Sequence, residues 1–144
     1  MQNNILECTV NCNGPGLHLT LSIDNTPAWQ GDPSTINNSV LSLPWPSTDV
    51  DSHLFCVELS GKTSEHTRID NDGRILQDIF VKLSQFKINS RSADELVWKL
   101  AVYKHNYNNN GPDTAEKFYG IMGCNGKVEL QIGSPVSVWL SEHT

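Results

Sequence analysis

Apolar and polar positions alternate along much of the chain. Leu6, Cys8, Val10 and Cys12 are separated by Glu7, Thr9 and Asn11, a period of two that predicts a strand with one buried face. Asn13-Gly14-Pro15-Gly16 is a turn cluster, and Leu17, Leu19, Leu21 and Ile23 then alternate with His18, Thr20 and Ser22, so the pair reads as a β-hairpin. Residues 25–52 carry Pro27, Pro33, Pro44 and Pro46 and read as a long connection in which only Ser39–Leu43 suits a short strand. Strands resume at His53–Leu59. A turn at Gly61-Lys62 and a hairpin turn at Asn71-Asp72-Gly73 lead into Ile75–Phe86, with Ile79, Val81 and Leu83 on one face. Asn89–Asp94 suits a helical turn or a loop. Glu95–Tyr103 is apolar on both faces and reads as a central strand. Lys117–Cys124 and Lys127–Ile132, joined by Asn125-Gly126, predict a hairpin with a type I′ turn. Val136, Val138 and Leu140 predict a last strand.

The expected fold is an all-β, antiparallel β-sandwich of about seven to nine strands with long loops, and no helix of three turns. Its predicted core includes Leu19, Leu21, Phe55, Val81, Leu100, Val102, Val128 and Leu130. A length of 144 residues suits one domain spanning 1–144. Such a chain buries roughly 70% of its unfolded surface and needs no staples.

Charge narrows the partners. A formal net charge of −6 with scattered basic residues argues against nucleic acid and against an anionic membrane. The first residues, Met1-Gln2-Asn3-Asn4, lack a charged leader followed by an apolar run, which predicts a cytoplasmic protein. The same setting predicts reduced thiols at Cys8, Cys12, Cys56 and Cys124. Cys8 and Cys12 in one regular strand stand ~13 Å apart and cannot be bridged.

Three groups of residues carry candidate chemistry. Asp49, Asp51, Asp70, Asp72 and Asp78 fall in or beside loops of the kind that supply oxygen ligands to calcium, although the spacing does not fit an EF-hand. The same residues are also ordinary turn formers. Asn106, Tyr107, Asn108 and Asn109 form a polar loop with Tyr103 nearby, in which amides bond hydroxyls and tyrosine rings stack on sugars; a plain flexible loop has the same composition. Trp29 and Trp45 either plug the end of the sandwich or present a binding platform. The five histidines form no metal-binding pair, and neither a nucleophile elbow nor a glycine-rich phosphate loop is present. Cys124 sits beside Asn125-Gly126 with the histidines far off in sequence, and a thiol nucleophile there is the remaining catalytic reading.

Asp49-Val50-Asp51-Ser52-His53-Leu54-Phe55-Cys56-Val57 resembles the D-L-D-x-x-x-F-x-L segment of the TerD-like tellurium-resistance domains. Further pieces follow in the family's order: Gly61-Lys62, Glu65-His66, Asp70-Asn71, Val81-Lys82-Leu83-Ser84, Leu96 to Tyr103 and Phe118-Tyr119-Gly120. The resemblance implies a β-sandwich with calcium in its acidic loops, in a stress-response setting. Three functional readings follow: a calcium-binding module without enzymatic activity, a carbohydrate-binding, lectin-like module, and a hydrolase whose site assembles from distant residues.

Overall fold

In the computed structural model, which describes residues 3–46 and 50–143, the alternating segments become strands of two facing sheets. In chain order they are β1 (Asn3–Cys12), β2 (His18–Ile23), β3 (Thr26–Gly31), β4 (Ser39–Pro46), β5 (Ser52–Ser60), β6 (Thr67–Ile69), β7 (Ile75–Asp78), β8 (Val81–Ile88) and β9 (Arg91–Ser92). After α1 (Asp94–Leu100) come β10 (Val102–His105), β11 (Thr114–Lys117), β12 (Ile121–Met122) and β13 (Gly126–Gly133), and α2 (Val136–His143) ends the described chain. One sheet has five strands in the order β12-β8-β1-β4, with β9 beside β8. The other has six, β11-β10-β13-β5-β2-β3, and β6-β7 is a separate hairpin. The antiparallel β-sandwich expected from the sequence is therefore the fold, with more strands than the seven to nine read from it. The extra strands include β3 in the proline-rich segment, β6 of the separate hairpin and the two-residue β9 and β12. Among the described residues no helix is long and apolar enough to cross a membrane.

The core lies between the sheets. Leu6, Cys8 and Val10 of β1 face Leu19 and Leu21 of β2, Phe55 and Val57 of β5, and Val128 and Leu130 of β13, all at most 4% exposed. Phe86 bridges Phe55 of the opposite sheet and Phe118, with ring centroids 6.5 Å apart in each pair. A residual void of only about 10 Å³ remains there, lined from both sheets. Interiors of this density leave little room for volume change.

Several local expectations are corrected. Strands β1 and β2 do not pair with each other. β1 pairs β4 and β8, whereas β2 pairs β3 and β5. The Asn13–Gly16 turn therefore crosses between sheets, with Asn13 accepting from Phe80 N and donating to Asp78 O. Nor is the segment around Asn125-Gly126 a hairpin. β11 pairs β10, and β12 pairs β8 of the other sheet. Gly126 is required by close approach, since a Cβ there would stand 2.2 Å from the Lys104 carbonyl oxygen.

The proline-rich stretch holds β3 and β4 rather than one short strand. β4 is an edge strand with Pro44 and Pro46 outward and Leu43 and Trp45 inward, the position in which a residue without an N–H is tolerated. Ile75–Phe86 is two strands, β7 and β8. Within β8 a bulge at Gln85 (φ 54) sets two residues, Gln85 and Phe86, against Cys8 alone. Burial accordingly shifts from Val81 and Leu83 to Phe86 and Ile88. The extra residue keeps both halves of the strand facing the core.

Glu95–Tyr103 is not a central strand. Asp94–Leu100 is helical because Asp94 Oδ1 accepts from the Phe86 N–H freed at the bulge, and Ala93 N donates to the Phe86 carbonyl. Ala93, Leu96, Val97 and Ala101 are buried at helical spacing, whereas Trp98 and Leu100 are 43% and 37% exposed. Leu100 thus leaves the predicted core, and Val102 is only half-buried on the outer sheet face. α2 follows the same rule: Val136 and Leu140, four apart, are buried, and Val138 faces out.

The four thiols are unbridged. Burial pushes Cys8 up to about 12, and raises Cys12, Cys56 and Cys124 as well. The Asp24-Asn25 turn joins β2 to β3 with both residues at positive φ (50 and 66). Asp24 Oδ1 accepts from Leu54 N, and its Oδ2 lies 2.6 Å from His53 Nδ1. Desolvation works to raise Asp24, but these hydrogen bonds hold it below the usual carboxylate range. At Asp32, desolvation is likewise outweighed by donors from Gly16 and Ser34.

Two outcomes are expected from this architecture. Leu96→Ala should cost ~2–5 kcal/mol in chemical denaturation, and Trp98→Ala less than about 1 kcal/mol. Equal costs would restore the strand reading, in which the two share a face. Asp24 and Asp32 both titrate lower folded than unfolded, where carboxylates stand near ~3.9. Their stabilisation is present above that pH and is lost as pH falls through the folded values. The double variant Asp24→Asn, Asp32→Asn should therefore be less stable than the parent at neutral pH and lose less stability below about pH 4, as read from melting temperatures across a pH series.

Candidate functional site

The two ends of the sandwich separate the sequence-predicted acids. Asp51 lies just before β5, its carbonyl accepting from Ser134 N beyond the far end of β13. Asp70, Asp72 and Asp78 belong to the β6–β7 hairpin that follows the opposite end of β5. Nine residues at ~3.3 Å rise put roughly 30 Å between these ends. Asp49 lies outside the described residues. Asp70 Oδ1 accepts from Asp72 N and Arg74 N and so closes its own turn. Asp78 Oδ1 accepts from Thr67 Oγ1 and pairs with Lys62 Nζ at 2.8 Å. The expected convergence of Asp51 with Asp70, Asp72 and Asp78 is not formed, because turn closure and a buried lysine claim two of these carboxylates. Among the described residues no three His, Cys, Asp or Glu side chains gather where they could hold a metal ion.

Lys62 organises the end of the sandwich that carries the Asn-rich loop. Its side chain is 3% exposed. Besides Asp78, its ammonium donates to the Gly123 carbonyl. Its backbone N–H and C=O both bond the Asn125 side chain, at 2.9 and 3.0 Å. Asn125 N in turn donates to Asn108 Oδ1 at 2.7 Å. Tyr103 is part of the same tie: its hydroxyl donates to the Cys124 carbonyl and accepts from Cys124 N. Burial pushes the phenol well above its usual value.

The loop itself is an unusual turn. Tyr107, Asn108 and Asn109 have φ of 56, 58 and 69, three successive left-handed residues. Left-handed backbone costs a non-glycine residue about 1–2 kcal/mol, least for Asn. The amides offset that cost. Asn106 Oδ1 accepts from Asn109 N, its Nδ2 donates to Asn109 Oδ1, and Gly111 N closes onto the Asn106 carbonyl. The loop is therefore built rather than slack, and the amides of Asn106 and Asn108 are spent largely on building it. Tyr107 remains 45% exposed, its ring edge-on to His105 at 4.7 Å.

Beneath the loop lies an open hollow of about 450 Å³, lined by Lys104, His105, Asn106, Asp113, Thr114, Ala115, Asn125 and Gly126. His105 forms part of its wall. Its Nδ1 accepts from Tyr107 N, which leaves the proton on Nε2 for Glu116 Oε1 at 3.0 Å. The ring rests on Tyr103 at 4.5 Å. Asp113 makes no hydrogen bond or ion pair among the described residues. Lys104 is 2.6 Å from Glu129, whose hydrogen bond raises the ammonium. The hollow thus offers hydroxyl-binding groups, Asp113, Thr114 and Lys104, and the exposed Tyr107 ring packs on His105 of its wall. Cys124 is not an activated nucleophile, since burial raises its thiol.

The tryptophans divide. Trp45 is 3% exposed, with its Nε1 buried and without a hydrogen-bond partner among the described residues, so it plugs the core and is no platform. Trp29 packs partly buried against that core. Sequence reading missed the outer face of the six-stranded sheet, where Trp139 and Gln131 border a second depression of about 470 Å³. The signal was hidden because Val136–Leu140 alternates like a strand.

No protein-family model matches the chain, and no curated protein matches it. Solved structures with a similar fold include the selenomethionine form of vCBM60, described under "Circular permutation provides an evolutionary link between two families of calcium-dependent carbohydrate binding modules", at 11% identity and a TM-score of 0.51 over 88% of this chain and 89% of that chain. vCBM60 in complex with galactobiose aligns at 14% identity and a TM-score of 0.47 over 90% of this chain and 97% of that one. The chain thus shares its β-sandwich fold with a protein described among calcium-dependent carbohydrate-binding modules.

Proposed function

We propose that the protein is a carbohydrate-binding module whose sugar sits in the hollow under the 106–111 loop. The observation that carries the reading is the lining of that hollow: a carboxylate at Asp113 that makes no hydrogen bond or ion pair among the described residues, with the Thr114 and Lys104 side chains, and an exposed Tyr107 ring packed on His105 of its wall. Sugars present hydroxyls to such groups and C–H faces to such rings. A loop held in left-handed backbone by its own amides supplies the preorganisation that weak, polar recognition needs. The fold shared with a carbohydrate-binding module supports the same reading. It displaces the calcium-centred reading drawn from the acidic loops.

Asp113 is the one carboxylate among the residues lining the hollow, and no three His, Cys, Asp or Glu side chains gather among the described residues. Binding is accordingly assigned to the side chains themselves. A carboxylate accepting two hydroxyl hydrogen bonds contributes on the order of 1.5–3 kcal/mol. Asp113→Ala should therefore weaken sugar binding by roughly tenfold or more.

The measurement is a calorimetric titration with neutral mono- and disaccharides, run with calcium and again with a chelator. Binding with Asp113→Ala weakened in both conditions supports the reading. Binding only with calcium would move the site to a metal centre, and no binding at millimolar sugar would remove the proposal.

A further inference from the structure

The hollow is not isolated. Lys104 lies between it and the depression on the outer face of the six-stranded sheet, and lines both. The floor of the second depression is apolar, with Leu54, Leu100 and Val102. Gln131 and Glu129 stand along it, and Trp139 closes its side. We infer that this groove is a second sugar subsite, continuous with the first, and that the ligand is a neutral oligosaccharide chain. This rests on the carbohydrate reading of the hollow and extends it to the size and charge of the ligand.

Trp139 is a partly buried aromatic wall of the groove. α2 is docked by Val136 and Leu140, both buried, which carries Trp139 over the end of β13. The indole lies on Gly133, where a Cβ would approach its Cδ1 to 2.5 Å. His143 packs against it at 5.3 Å. Gly133 and His143 hold the partly buried ring in one orientation without a ligand, and the part of it that lines the groove is what a sugar meets, which lowers the ordering cost of that contact.

The polar groups argue the ligand's charge. Lys104 and Glu129 pair at 2.6 Å, and Lys127 and Glu58 at 3.6 Å on the same face. The Lys104 and Glu129 charges that line the groove meet each other, so this part of the surface favours neither an acidic nor a basic ligand. Gln131 is exposed and makes no side-chain hydrogen bond among the described residues. An amide with both donor and acceptor unused suits hydroxyls. Apolar floor, aromatic side and neutral amide together match the two faces of a pyranose. A protein segment would need backbone partners, and no sheet edge opens into the groove: its strands β10, β13 and β5 all have neighbours on both sides.

The test is affinity against chain length, with linear neutral gluco-, xylo- and galacto-oligosaccharides of one to six units. Wild type should bind the best tetrasaccharide roughly tenfold or more tighter than its disaccharide. Trp139→Ala and Gln131→Ala should each bring the tetrasaccharide down towards the disaccharide. Gln131→Ala keeps the test decisive if Trp139→Ala fails to fold. A uronate-containing chain should gain nothing over its neutral counterpart. If short sugars bind with no gain on lengthening, or if the gain survives both variants, the second subsite is wrong while the hollow stands. If no sugar in the series binds wild type, both fall.

Discussion

One buried ammonium governs the end of the molecule at which the candidate site is built. Withdrawing a lysine from water costs several kcal/mol unless its partners are in place. For Lys62 those partners come from two distant stretches of chain, Asp78 at the end of β7 and the Gly123 carbonyl before β13. Both stretches are thereby fixed to the end of β5. The constraint passes on through Asn125, which clasps the Lys62 backbone with its side chain and the Asn108 amide with its own backbone. The left-handed turn, and the hollow it roofs, are in this sense downstream of a charge that must not be left alone.

A second constraint acts at the opposite sheet. The bulge at Gln85 frees the main-chain groups of Phe86, and α1 takes them up through Asp94 and Ala93. One inserted residue thus does two things. It returns Phe86 and Ile88 to the core, and it starts a helix in a segment whose composition suits a strand. Thr9 joins in by donating its hydroxyl to the Gln85 side chain across the sheet.

What was legible in the sequence follows from these causes. β1, β2, β5 and β13 were plain because each has one buried face and a strict period of two. Partners were not plain, since periodicity specifies a face and says nothing of which strand lies alongside. Hence two sheet-crossing connections passed for hairpins. Residues 94–100 were misread because Leu96, Trp98 and Leu100 alternate while Ala93, Leu96 and Val97 also satisfy a helix, and only the bulge decides between them. The Asn-rich loop was located correctly, but its amides turned out to hold the turn, leaving Asp113 and Thr114 as the groups that face the hollow. The acids were visible and misplaced, because the length of β5 stands between Asp51 and the rest. Trp139 and Gln131 went unnoticed because the first was assigned to a strand and the second has no motif around it.

The two outward prolines of β4 bear on how the protein lives at high concentration. An unpaired strand edge is a template on which another chain can grow, copy after copy. Pro44 and Pro46 stand on that edge without N–H groups and with rings that fill the approach. A strand laid beside them would lack its regular partners at every second residue. The five-stranded sheet therefore ends there by chemistry, and the sandwich carries on one flank its own protection against polymerising into fibres.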